Sequence, residues 1–234
     1  MSECASDRWA EQLKLGKMAW KRLRPTESLS SGSSTNRHYG FGSLQEVAPG
    51  VEFGINVQGW QIRDGLSSIR VQARLLDYRV TALWSFAENR DTAGVQFLDF
   101  DVLAAHCLTE DKRLVPSPCL GLESDREEIA SVLAMYSSMI DRLWESFGGP
   151  SRANFEALAI WAMSKREGVG LHANAFGGAF AAFLYGDRDR ARQFLIDLEA
   201  SWDQRLSDGP GNAAVQKVRS ETLAAIARAR AIIS

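Results

Sequence analysis

The chain has 234 residues, with 27 basic and 29 acidic side chains and a formal charge of −2. Split at residue 120, the first part holds 14 basic and 14 acidic residues and the second 13 and 15, so neither carries the positive surplus of a module that neutralises many phosphates; nucleic acid is not an expected partner. Apolar residues make up 45% and charged residues 24%, an ordinary globular composition, and a chain of this length buries roughly 70% of its unfolded surface without disulfide or metal.

Three cysteines, Cys4, Cys107 and Cys119, are too few and odd in number for a disulfide framework and fit a reducing compartment. The stretch from Met1 to Gln12 lacks the apolar core of a secretory signal, so a cytoplasmic protein is expected. Val169 to Tyr185 carries no Asp, Glu, Lys or Arg, but it contains His172, Asn174, Gly170, Gly177 and Gly178. It falls short of the roughly 20 predominantly apolar residues of a membrane span and reads as a buried core helix. No membrane partner is expected.

Trp9 to Trp20 predicts a helix that Pro25 closes. Glu27 to Asn36, small and polar, reads as a mobile link. Period-two alternation then predicts strands over His38–Val47, Val51–Trp60, Ser68–Leu76 and Val95–Leu103, with a short helix over Thr81–Glu88. Leu108 to Leu122, with Pro116 and Pro118, reads as a connector. Beyond it the period becomes 3.6. Ser124 and Glu127 form a capping-box pattern ahead of the stripe Ile129, Leu133, Tyr136, Ile140, Leu143 and Trp144. Ser151, Asp187 and Asn212 are candidate caps for later helices, and another helix begins near Leu171.

Strands and helices therefore segregate. The fold class is α+β: an N-terminal helix and an antiparallel sheet of about four strands, followed by about five helices covering one face. Residues 1–110 are the mainly β portion and 123–234 the helical portion, read together as one compact domain.

The polar side of the sheet is the richest constellation. Arg70 and Arg74 share a face, as do Asp99 and Asp101, because side chains alternate along a strand. Glu52, Asn56, Gln58 and Trp60 fall beside them. Such a platform offers an arginine pair to an anionic group, or is simply a solvated face with cross-strand ion pairs. Trp60, on this face, and Trp161, at the edge of its helical stripe, are the tryptophans placed for a partner surface, where that residue type is enriched.

No catalytic signature stands out, which leaves the enzyme question open and leaning against. His106 and Cys107 are adjacent, so a strand would point them to opposite faces, and with Cys119 they lack the spacing of a zinc site. No metal or cofactor is expected. Gly168, Gly170 and Ala173 match a dinucleotide fingerprint only in spacing, because a charged helical segment rather than a strand precedes them. Gly177, Gly178 and Ala179 permit close helix approach, inside the monomer or along a homodimer seam over Phe176 to Leu184.

The opening helix, the basic break Lys21-Arg22-Leu23-Arg24 and the strand segment Ile55-Asn56-Val57-Gln58 give the N-terminal part a resemblance. It resembles a class of uncharacterised bacterial α+β domains, some of them suspected to be immunity proteins that neutralise a cognate toxin. The resemblance covers about the first third of the chain and transfers no functional residue. It implies a non-enzymatic binding protein whose partner is a protein, a toxin in the immunity case, blocked by steric occlusion. Arg70, Arg74, Asp99, Asp101, Trp60 and Trp161 are the candidate partner-binding residues. The alternative expectation is a small-molecule enzyme or ligand-binding protein using the polar sheet face.

Overall fold

The computed structural model describes residues 2–35, 37–63, 66–92, 98–99, 119–121, 124–165, 171–207 and 213–234. Its described elements are helix α1 (Ser2–Leu23), strands β1 (Ser28–Leu29), β2 (Ser33–Ser34), β3 (His38–Ala48), β4 (Val51–Arg63) and β5 (Leu66–Asp77), helix α2 (Tyr78–Glu88), strands β6 (Leu98–Asp99) and β7 (Cys119–Gly121), and helices α3 (Arg126–Ser146), α4 (Arg152–Lys165), α5 (Leu171–Leu184), α6 (Arg188–Ser207) and α7 (Ala213–Ile233). The fold is α+β with an antiparallel sheet, as the segregation of periods predicts. Two compact units share the chain: Met1–Leu75 with Leu98–Phe155, and Leu76–Phe97 with Glu156–Ser234.

In the first unit the sheet runs β1-β3-β4-β5-β6, with β2 also on β3 and β7 also on β5. Alternation sorts its side chains. Tyr39, Phe41, Phe53, Ile55, Val57, Ile69, Val71 and Ala73 are buried. Helices α1 and α3 cover this side. Trp9 of α1 meets Tyr39 with ring centroids 5.7 Å apart, and Trp144 of α3 stands edge-on to Phe53 at 5.4 Å. The Tyr136 hydroxyl donates to the Ile69 carbonyl at 2.8 Å, binding α3 to β5.

Of the expected mobile link over Glu27 to Asn36, residues 27–35 are described, and they differ from what their composition suggests. Ser28 and Leu29 pair with Leu44 and Ser43, and Ser33 and Ser34 with Gly40 and Tyr39, so the segment supplies two short strands to the free edge of β3. Lys17 holds the turn between them, donating to the carbonyls of Ser30 and Ser31 at 2.8 and 2.7 Å. Gly32 turns the chain at φ +74°, where a Cβ would also sit 3.0 Å from the Gly40 carbonyl oxygen. Long-range partners thus order a segment whose local propensity is for turns.

The buried carboxylate of Glu27 joins these pieces. It accepts from the Trp20 indole at 2.9 Å and from the Ser43 hydroxyl, and lies 3.7 Å from the Arg24 guanidinium. Arg24 in turn donates to Ser137 and pairs with Asp141 at 2.9 Å, both on α3.

Helix α3 starts one residue later than its expected cap. Asp125, not Ser124, accepts from the backbone of Glu127 and Glu128, and Glu128 returns a bond to the Asp125 backbone. Both spacings satisfy the pattern, and a carboxylate gains more than a hydroxyl from the helix N-terminus. Of the strand expected over Val95–Leu103, Leu98–Asp99 forms β6 and the remainder lies outside the described residues. The expected connector contributes β7, which pairs Cys119 to Gly121 with Ser68 to Leu66.

In the second unit, α2 is capped by Asp77, whose side chain is 1% exposed and paired with Arg79 at 2.6 Å. Asp187 caps as expected, accepting from Arg190, as does Ser151 of the first unit, accepting from Asn154; Asn212 lies outside the described residues. Residues Ala175 to Ala182 of α5 are buried inside the unit, and Gly178 lets the Phe194 ring of α6 approach to 3.0 Å of where a Cβ would stand. Among the described residues no helix is long and apolar enough to cross a membrane.

Two glycines of β4 set up a comparison. A Cβ on Gly59 would lie 2.2 Å from the Tyr39 ring, which is fully buried against Trp9. A Cβ on Gly54, on the opposite face, would meet the tip of Leu44, which is 38% exposed and can swing away. Gly59→Ala should cost about 1–3 kcal/mol of stability through overpacking, and Gly54→Ala less than about 1 kcal/mol. Urea denaturation of the two variants checks this, and equal losses would show the two faces to be packed alike.

Candidate functional site

The face of the sheet opposite α1 and α3 carries the polar residues. Opposite residues of an antiparallel pair share a face. Along β3 and β4 the pairs on this face are His38 with Trp60, Gly40 with Gln58, Gly42 with Asn56, Leu44 with Gly54 and Glu46 with Glu52. On β5, half-buried Arg70, Gln72 and Arg74 alternate with buried Ile69, Val71 and Ala73. Position 99 on β6 stands opposite Gln72, which places it on the face of Arg70 and Arg74.

Four of the six candidate positions are therefore on one face: Trp60, Arg70, Arg74 and 99. Asp101 lies outside the described residues. Trp161 is not part of the sheet; it sits half-buried on α4, in the stretch assigned to the second unit.

Arg74 is the best-defined charged group of the face. Its Cβ lies 3.7 Å from where Gly54 would carry one, so β4 offers no side chain beside it. Its Nε is buried without a hydrogen-bond partner among the described residues. A desolvated, unused donor on a cation is costly, at about 1–3 kcal/mol, unless something completes it.

A shallow cleft of about 420 Å³ lies at the β3 side of the same face. Ser30, Ser31, Ser33, His38, Asn56 and Gln58 line it, above the side-chain-free backbone of Gly40 and Gly42. The loop rim is fixed by Ser30, whose backbone N–H donates to the Gly42 carbonyl at 2.9 Å and whose hydroxyl accepts from the Gly42 N–H at 2.7 Å. His38 is held by a 2.7 Å bond between its Nδ1 and the Thr35 hydroxyl. The serine tract gave no sign of this role in the sequence, because it becomes a rim only once β1 and β2 pair with β3.

In the second unit the Tyr185 hydroxyl donates to Asp77 at 3.4 Å, and Arg79 bridges Asp77 and Glu156. Burial, reinforced by the negative charge of Asp77, pushes the Tyr185 phenol far above its ordinary range. The hydrogen bond to Asp77 raises Arg79 further above its ordinary value. This is a locked, charge-compensated cap: a phenol that keeps its proton is a poor base or nucleophile.

Among the described residues no group of three His, Cys, Asp or Glu side chains could hold a metal ion. His106, Cys107, Gly168 and Gly170 lie outside the described residues. A comparison of the chain with known protein families, curated proteins and solved structures finds no match.

Tyr39 tests the packing behind the face. Its hydroxyl is buried without a partner among the described residues, and burial pushes its pKa well up. A phenol raised in the folded state leaves stability unaffected below the unfolded value of about 10 and lowers it as pH rises beyond that. Tyr39→Phe should therefore be neutral or stabilising by up to about 1 kcal/mol at neutral pH, and should lessen the alkaline decline. Urea denaturation at neutral and alkaline pH measures both. A loss above about 1 kcal/mol at neutral pH would mean that the hydroxyl is hydrogen-bonded in the folded protein.

Proposed function

We propose that this is a non-enzymatic binding protein that engages a protein partner through the polar face of its sheet. The observation that carries the reading is Arg74, a half-buried arginine on the polar face of β5 beside the bare backbone of Gly54. Arg70, four residues away on the same strand, adds a second positive charge. The complementary feature on the partner is an acidic side chain, because a carboxylate accepts from an arginine fork in two places. Trp60 at the end of β4 supplies a large apolar contact of the type enriched at interface hot spots. In its narrower form, supported by the sequence resemblance, the reading is an immunity protein occluding the active site of a toxin.

The test is affinity capture from the native cell at low salt, with the wild-type chain and the Arg70→Glu/Arg74→Glu variant side by side. One stoichiometric protein is expected with the wild type. Charge reversal should weaken its capture at least about tenfold, the usual scale for opposing a buried charge contact. Equal capture by both removes this face from the mechanism. Absence of any stoichiometric protein on the wild type overturns the reading.

A further inference from the structure

We propose that the cleft lined by Ser30, Ser31, Ser33, His38, Asn56 and Gln58 binds a neutral, hydroxyl-rich ligand: a short stretch of carbohydrate. The inference goes beyond the protein-binding reading and uses neither Arg70 nor Arg74.

The cleft's chemistry makes the selection. None of its described lining residues is Asp, Glu, Lys or Arg. An anionic or cationic ligand finds none of those four partners in the lining. An apolar ligand would strip water from amides and hydroxyls and leave them unpaired, at about 1–3 kcal/mol each. The groups on offer are neutral and two-way. Asn56 and Gln58 each present a carbonyl acceptor and an NH₂ donor side by side, and neither side chain makes a hydrogen bond among the described residues. Adjacent hydroxyls of a sugar ring, each both donor and acceptor, complement such an amide in pairs.

Geometry points the same way. Asn56 and Gln58 stand two residues apart on β4, on one face and spaced by roughly 7 Å, so each can serve a different part of one or two rings. Glycine at 40 and 42 keeps the floor open. A Cβ at Gly42 would crowd the Asn56 Oδ1 at 3.3 Å, and one at Gly40 would touch the Gln58 side chain at 3.6 Å. The volume of about 420 Å³ lies in the small-ligand range of roughly 300–1,000 Å³. Trp60 continues the row two residues beyond Gln58, opposite His38, and supplies an indole face for the C–H side of a pyranose.

The experiment titrates the full chain with cellotetraose, maltotetraose and tetra-N-acetylchitotetraose, reading heat by calorimetry. Saturable binding of at least one is expected. Asn56→Ala and Gln58→Ala should each weaken it roughly tenfold, the value of one lost hydrogen-bonding group, while their urea midpoints stay at wild type. Failure of all three sugars to saturate, or equal binding by the wild type and both variants, overturns the proposal.

Discussion

A single buried carboxylate organises the first unit. Glu27 follows the end of α1 and opens onto β1, and its side chain is 5% exposed. Leaving a charge there uncompensated would cost several kcal/mol. Compensation comes from three directions: the Trp20 indole from α1, the Ser43 hydroxyl from β3, and the Arg24 guanidinium, itself fastened to Ser137 and Asp141 of α3. These bonds require α1 to end where Trp20 faces the sheet. They require β1 to enter beside Ser43, and α3 to lie within reach of Arg24. The covered face of the sheet is fixed by that requirement.

The polar face inherits its form from it. Once Glu27 is pinned, Ser28 and Leu29 pair with β3, and Lys17 captures the turn that follows. The serine rim of the cleft is a consequence. Alternation along β3, β4 and β5 does the rest, sending Phe41, Val57 and Val71 inward and leaving Asn56, Gln58, Arg70 and Arg74 on the other side. The second unit follows its own version of the same rule. Asp77 is buried at the start of α2 and is satisfied by Arg79 and Tyr185, while Arg228 donates to the Ala87 carbonyl at 2.6 Å near that helix's other end.

Much of this is legible in the residues because it depends on short-range period. The alternation of Val51, Phe53, Ile55 and Val57 and the stripe from Ile129 to Trp144 each leave one sensible buried face, and the structure buries them. The placement of Arg70 and Arg74 on one face follows from the same period. What period does not carry is partnership at a distance. Glu27 reads as an ordinary surface acid at the head of a serine tract, since nothing nearby in sequence announces Ser43. The tract reads as a turn-former for the same reason. Arg74's place beside Gly54 depends on strand pairing, and register is invisible until strands are paired. Asp125 displaces Ser124 as the cap of α3 by a margin of charge rather than of pattern.

The Glu27 carboxylate holds α1 and β3 together and, through Arg24, α3 with them. Urea denaturation of Glu27→Ala, paired with amide hydrogen exchange along β3, tests it most directly. Removing the carboxylate leaves the Trp20 and Ser43 donors buried without their acceptor, and at about 1–3 kcal/mol for each the loss should reach roughly 3 kcal/mol or more. Exchange at Ser43 and its neighbours should quicken beyond what that global loss explains, as β1 comes away from the edge of β3. A loss below about 1 kcal/mol with β3 protection unchanged would contradict the claim, and would mean that apolar packing alone sets the arrangement.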